Sequence, residues 1–223
     1  MKRVIKWVLA ISLLVTLTGA LILGYFGYEY YQAVLEDMPL RETMYQIQSQ
    51  PGYTNIEDIS THFLNSIIAV EDRRFLSHGG IDIVSIARAA LTNLSANQIL
   101  QGGSTITQQL AKNIFFSSNQ TFLRKSAELF MAFHIERVYS KSEILELYCN
   151  VIYLGQGCYG IEEASYYYFG KSSEHLTVDE AAYLAGFPQA PSLYSGNSAL
   201  AMQRQAVVLQ ALDEVGYLFE GGQ

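Results

Sequence analysis

The chain has 223 residues, half of them apolar, and a formal net charge of −7 at pH 7. That length suits one well-packed domain plus an anchor and excludes two large domains. The acidic balance excludes nucleic acid as a partner, because phosphate backbones attract basic surfaces, and it requires that any anionic ligand be met by a local cluster of cations. Two cysteines, Cys149 and Cys158, are too few for a disulfide framework; their spacing permits one bridge, and two buried free thiols are the favoured reading.

From Trp7 to Gly27 about 21 residues pass without a charge, enough at about 1.5 Å per residue to span roughly 30 Å of hydrocarbon. Lys2, Arg3 and Lys6 precede the run, and Glu29, Glu36 and Asp37 follow it. The expectation is a single-pass protein of the cytoplasmic membrane: residues 1–6 in the cytoplasm, a transmembrane helix over 7–27 and the remainder outside. A cleaved signal peptide is the competing reading, disfavoured by the length of the run and the lack of a clear A-x-A-like site. Residues 28–55 read as a juxtamembrane segment, first a helical continuation of the anchor and then a short extended piece around Met44 to Gln48. Pro51 and Gly52 mark a turn. Residues 56–223 read as one α-rich domain.

Within that domain Phe63, Ile67 and Glu71 share one helical face, which is apolar until it reaches an acid. A carboxyl group there is either a poorly solvated acid, whose raised pKa lets it take a proton from a hydroxyl, or the point where the helix meets water with Arg73, Arg74 or Arg88 as partner. Gly102 to Asn113 reads as a helix start, capped by Ser104 or Thr105 with Gln108 three residues beyond Thr105, and its free N–H groups would suit an anion. Thr107, Gln108, Gln109, Lys112 and Asn113 give this helix more polar reach than an amphipathic helix needs. A further helix carries the stripe Leu123, Ala127, Met131, His134 and Val138. Its Arg124 and Glu128, four apart, read most simply as a surface pair; the functional version sets Arg124 and Lys125 on a diphosphate and Glu128 across a cleft from Glu71. Ser140 with Glu143 and Thr177 with Glu180 have capping-box spacing. The helix opened by the first is expected to break at Gly155 and Gly157, and that opened by the second to close at Gly186 and Pro188. The histidines lack metal-site spacing, and His78 reads as a structural hydrogen-bonding residue. Tyr166, Tyr167, Tyr168 and Phe169 read as helix packing with a wet edge.

Five segments in order, EDRRFLSHGGID, GGSTITQQLAKN, RKSAE, ILELYCNVIYLGQGCYGIEEASYYYFGK and LTVDEAAYLAGFPQAPSLY, resemble the peptidoglycan glycosyltransferases of family 51, bacterial enzymes that polymerise lipid II. The resemblance covers about residues 56 to 210 and looks like the monofunctional form. It implies a mainly α fold, a lysozyme-like two-lobed helical domain, behind the transmembrane helix. It implies that Glu71 is the general base that deprotonates the acceptor 4-hydroxyl, and that Glu128 is the second acid. Lys112, Arg124 and Lys125 would surround the diphosphates. Ser104, Thr105, Gln108, Gln109 and Asn113 would contact sugar and phosphate, with Asp72, Phe75 and His78 of the first block counted among the substrate-binding residues. No cofactor is expected to be tightly bound, although a divalent cation, Mg2+ or Mn2+, could sit at the diphosphate. The implied partners are lipid II and the growing glycan strand, membrane lipid, and cell-wall synthesis or division proteins. Two departures stand out: Gln120 where the family usually has Arg, and Gln205 beside Arg204 where it often has an Arg pair. The alternatives are a glycan-cleaving muramidase or lytic transglycosylase and a catalytically weak cell-wall scaffold.

Overall fold

The computed structural model describes residues 2–96, 102–117, 119, 121–217 and 219. Helix α1 (Lys2–Asp37) is long and apolar enough to cross a membrane, and residues 2–22 stand wholly exposed. The helix continues unbroken past Gly27, as the sequence suggests. Helix α2 (Leu40–Gln48) follows Pro39. The extended piece expected around Met44 to Gln48 is therefore wrong. Leu40, Thr43 and Met44 fall on one helical face and are buried, whereas a lone strand in a helical protein would leave its backbone groups unpaired.

Helix α3 (Thr61–Glu71) leads into a short turn and then α4 (Ile83–Ala96), which is exposed along most of its length. Next come α5 (Ile106–Phe115), α6 (Phe122–Val138) and α7 (Lys141–Val151). Then follow α8 (Ile161–Phe169), α9 (Val178–Ala185), the short α10 (Pro191–Ser195) and α11 (Ser198–Val215). Among the described residues the only β pairing is a single bridge between Tyr153 and Tyr159. The protein is mainly α, as expected.

The three S/T-to-E/Q spacings all close as reciprocal capping boxes, at Thr105/Gln108, Ser140/Glu143 and Thr177/Glu180. Helix α9 ends at Ala185, before Gly186 as predicted. Helix α7 stops at Val151, ahead of the expected glycines. There Gly160 N–H bonds the Ile152 carbonyl, and the turn at Gly155, Gln156 and Gly157 takes positive φ at all three residues to close the bridge. Helices α3, α9 and α11 pack together, as do α5, α6 and α7, around a shared core whose largest members are Tyr148, Phe63, Phe75 and Phe187. Each buried aromatic contributes on the order of 2 kcal/mol. Both cysteines are buried free thiols.

Residues 28–55 pack onto the same core through Tyr31, Leu40 and Met44. Helix α1 lies along α6, and at Gly27 a Cβ would collide with the Ser126 side chain. On α6 the predicted stripe is only partly right. Ala127 and Met131 are buried and His134 and Val138 half-buried, but Leu123 is 39% exposed, and Arg124 and Glu128 take the buried face in its place.

Candidate active site

A cleft of about 480 Å³ opens between the end of α3, the start of α4, the 102–105 segment, α5 and α11. It is lined by five cations, Arg73, Arg88, Lys112, Lys125 and Arg204, against three carboxylates, Glu71, Asp72 and Asp82. A protein of net charge −7 thus concentrates positive charge in one concavity, which suits an anionic ligand.

Glu71 ends α3 on the face defined by the fully buried Phe63 and Ile67, and its side chain is 12% exposed. One carboxylate oxygen accepts from Gln109 Nε2 at 2.7 Å; the other lies 3.9 Å from Arg204 Nη2. The Gln109 amide is itself oriented by the Tyr148 hydroxyl, which donates to Gln109 Oε1 at 3.0 Å. Burial raises the Glu71 pKa, the Gln109 hydrogen bond and the Arg204 charge pull it back, and neighbouring Asp72 adds to the rise. None of the arginines considered from the sequence pairs with Glu71. Arg73 lies 3.7 Å from Glu214, Arg74 bonds Asp82 at 3.1 Å, and Arg88 reaches Ser85 at 3.0 Å. The poorly solvated acid is what the fold builds.

Asp72 and its neighbours are structural. Asp72 Oδ1 bonds His78 Nε2 at 2.7 Å, and its Oδ2 accepts the Ile106 N–H at 3.0 Å. The N-terminus of α5, expected to offer free N–H groups to an anion, therefore already holds an internal carboxylate. Burial opposes charge on His78, but Asp72 and the Gly79 carbonyl outweigh it and raise its pKa. Asp82 caps α4 through the Val84 and Ser85 N–H groups, accepts the Ser85 hydroxyl at 2.6 Å and pairs with Arg74. The ligand-type atoms of Asp72, His78 and Asp82 lie within 4.8 Å of one another. Each is engaged in these bonds, and the trio ties the turn before α4 to α5.

Lys125 Nζ bonds Ser104 Oγ at 2.9 Å and Glu128 Oε2 at 3.1 Å, while Arg124 Nη1 lies 3.0 Å from Glu128 Oε1. Glu128 is 1% exposed and the Arg124 side chain 9%, so the pair read as a surface feature is buried. The reason is local neutralisation: two cations on consecutive residues hold one acid, which makes its desolvation tolerable.

Of the residues predicted for the site, Glu71, Asp72, Ser104, Thr105, Gln108, Gln109, Lys112 and Lys125 line the cleft. Thr105 does so with its hydroxyl shared between the capping box and the Gly80 carbonyl, and Gln108 with its Oε1 accepting the Thr105 N–H. Glu128 and Arg124 sit behind Lys125, outside the lining. Phe75 is fully buried in the core with Lys141 Nζ 4.4 Å from its ring centre, His78 stands behind Asp72, and Asn113 is exposed away from the cleft. Gln120 falls outside the described residues. Sequence reasoning missed Arg204 and Tyr148 as neighbours of the Glu71 carboxylate. Tyr148 reads as ordinary core on its helix, and neither residue has a local spacing that ties it to Glu71.

Fold and cleft together give a helical domain behind a helix long and apolar enough to cross a membrane, with a sparingly exposed acid on the wall of a cation-rich cleft. Residues 38–213 match the transglycosylase family, and the chain belongs to it. It is 49% identical over 168 residues to penicillin-binding protein 1A of Aquifex aeolicus, a match spanning 74% of this chain and 23% of that one. It is 46% identical over 166 residues to penicillin-binding protein 1F of Bacillus subtilis, again spanning 74% of this chain and 23% of the relative. It is also 41% identical over 191 residues to a Cupriavidus necator protein provisionally named a transglycosylase, spanning 85% of this chain and 82% of that one. The match thus spans about a quarter of each penicillin-binding relative and most of the third.

Proposed function

We propose that the protein is a peptidoglycan glycosyltransferase that polymerises lipid II into β-1,4-linked glycan and releases undecaprenyl diphosphate. The observation that carries this reading is Glu71, a sparingly solvated carboxylate held by Gln109 on the wall of a cleft rich in cations. In the reaction, Glu71 takes the proton of the acceptor 4-hydroxyl as that oxygen forms a bond to the donor anomeric carbon. The bond from that carbon to the diphosphate breaks on the opposite face, so the centre inverts from α to β. Lys112 and Lys125 meet the charge on the departing diphosphate. Glu128 acts through Lys125, fixing its ammonium next to Ser104.

The position of the anchor supports a lipid-linked substrate. Gly27, one residue short of the end of the uncharged run, seats on Ser126, so neighbouring Lys125 stands close to the height where that run ends. A diphosphate whose prenyl chain stays in the bilayer would lie at that height. We place the N-terminus in the cytoplasm and the cleft outside, on the charge distribution around α1. A divalent cation, Mg2+ or Mn2+, would come as a counter-ion of the diphosphate, because the Asp72 and Asp82 oxygens already hold protein donors. Cell-wall synthesis or division proteins remain the proposed macromolecular partners.

The test is turnover of labelled lipid II by detergent-solubilised protein, with products resolved by size. Long glycan from the parent, and none from Glu71→Gln despite retained lipid II binding, is the expected result. Glycan shortening, with intact lipid II, would move the assignment to a cleaving enzyme.

A further inference from the structure

A second cavity, about 340 Å³, lies on the other side of α6, between it and α1. Its walls include Tyr28 and Tyr31 from α1 and Phe130, Phe133, His134 and Arg137 from α6, and no carboxylate lines it. The Tyr28 and Phe130 rings meet edge to face at 5.4 Å, and the Tyr31 hydroxyl shares a 2.8 Å hydrogen bond with His134 Nδ1. Phe133 is 50% exposed. Burial, then the charges of Arg137 and Arg41, hold the His134 pKa below its ordinary value, so the ring is neutral at pH 7 and the two guanidiniums carry the positive charge. Among the described residues no ion pair occupies Arg41 or Arg137.

The depth of this cavity is fixed by α1. Its α1 residues begin at Tyr28, the last uncharged residue before Glu29, and reach Gln32 within about 6 Å along the helix axis. A bilayer is roughly 30 Å thick in hydrocarbon and 40–45 Å with headgroups, so each headgroup layer occupies about 5–8 Å. The cavity therefore sits within the headgroup layer, with aromatic rings at the level favoured by interfacial tyrosine and Arg137 at the level of lipid phosphate.

We infer that this cavity binds the headgroup of an anionic phospholipid, with Arg137 on its phosphate and the Phe130 and Phe133 rings against the first carbons of its chains. The inference rests on the reading of α1 as the membrane span. The lipid would hold α6 against α1, and α6 also carries Lys125 into the cleft on its opposite side.

The test exchanges the protein, with its N-terminal helix, out of bilayers of equal phosphatidylglycerol and phosphatidylcholine and reads the retained lipid by native mass spectrometry. Phosphatidylglycerol should be retained in preference. Arg137→Gln should lower that preference about fivefold, as expected for loss of one arginine near a lipid surface. Arg137 is exposed, so its replacement does not threaten the core. Lys125→Ala should leave retention unchanged, and millimolar inorganic phosphate should not displace the lipid. Equal retention of both lipids, indifference to Arg137→Gln, loss on Lys125→Ala or displacement by phosphate would each overturn the site. Flotation with liposomes separates the two readings. Protein that does not float overturns the span and the site with it, whereas protein that floats without selective retention overturns the site alone.

Discussion

Glu71 and Glu128 are both withdrawn from water, yet their partners differ, and the roles proposed for them differ accordingly. Glu128 touches Arg124 and Lys125 at 3.0 and 3.1 Å and lies outside the cleft lining, so it is held between two cations. Glu71 faces one amide at 2.7 Å and one guanidinium only at 3.9 Å, and it reaches the cleft. A buried acid becomes a base when its partners are too weak to cancel the cost of its charge. With two cations in contact it becomes a brace instead.

The comparison breaks most sharply in the Gln variants. Glu71→Gln should lower glycosyl transfer by about three orders of magnitude, the usual range for loss of a general base, measured as lipid II turnover under saturating substrate. It should also melt no lower than the parent. Because the folded pKa of Glu71 is raised, stability falls as pH rises from its unfolded value through its folded one, and the uncharged amide removes that loss. Glu128→Gln should do the reverse. It leaves Arg124 buried beside a neutral amide and should cost about 3–5 kcal/mol by denaturant unfolding, with Lys125 released from its place at Ser104. Equal melting temperatures for the two variants would undo the distinction.

Smaller effects sharpen it. Tyr148→Phe keeps the core filled but leaves Gln109 Oε1 without its donor, so the amide is no longer held with its N–H toward Glu71. Turnover should fall roughly five- to tenfold with the Michaelis constant unchanged, the equivalent of about 1 kcal/mol for one hydrogen bond. Arg204→Gln removes a cation that holds the Glu71 pKa down. The acidic limb of the rate profile, where turnover rises as Glu71 loses its proton, should therefore move to higher pH, while the alkaline limb stays in place. An unmoved acidic limb would place the titrating base elsewhere.

Local signals survived the passage from sequence to structure because they act within one turn. The capping boxes at Thr105, Ser140 and Thr177 need only residues three apart, and the Phe63, Ile67, Glu71 series needs only one helical face. Where burial was inferred from residue type, the sequence misled. Arg124 and Glu128 look like a solvated pair and are buried, Leu123 looks like core and is not, and the piece around Met44 to Gln48 looks extended but belongs to a helix whose apolar face joins the core.

The amino-acid sequence alone determined that the protein is mainly helical, that α1 can span a membrane, and that an acid ends the apolar face of α3, since each follows from periodicity or from runs of residues. Only the tertiary structure decided which groups meet that acid. Gln109, Tyr148 and Arg204 come from three different helices, and no local spacing encodes their meeting. The pKa of Glu71, and with it the chemistry open to the cleft, depends on that meeting because burial and partner charge are properties of the packed chain.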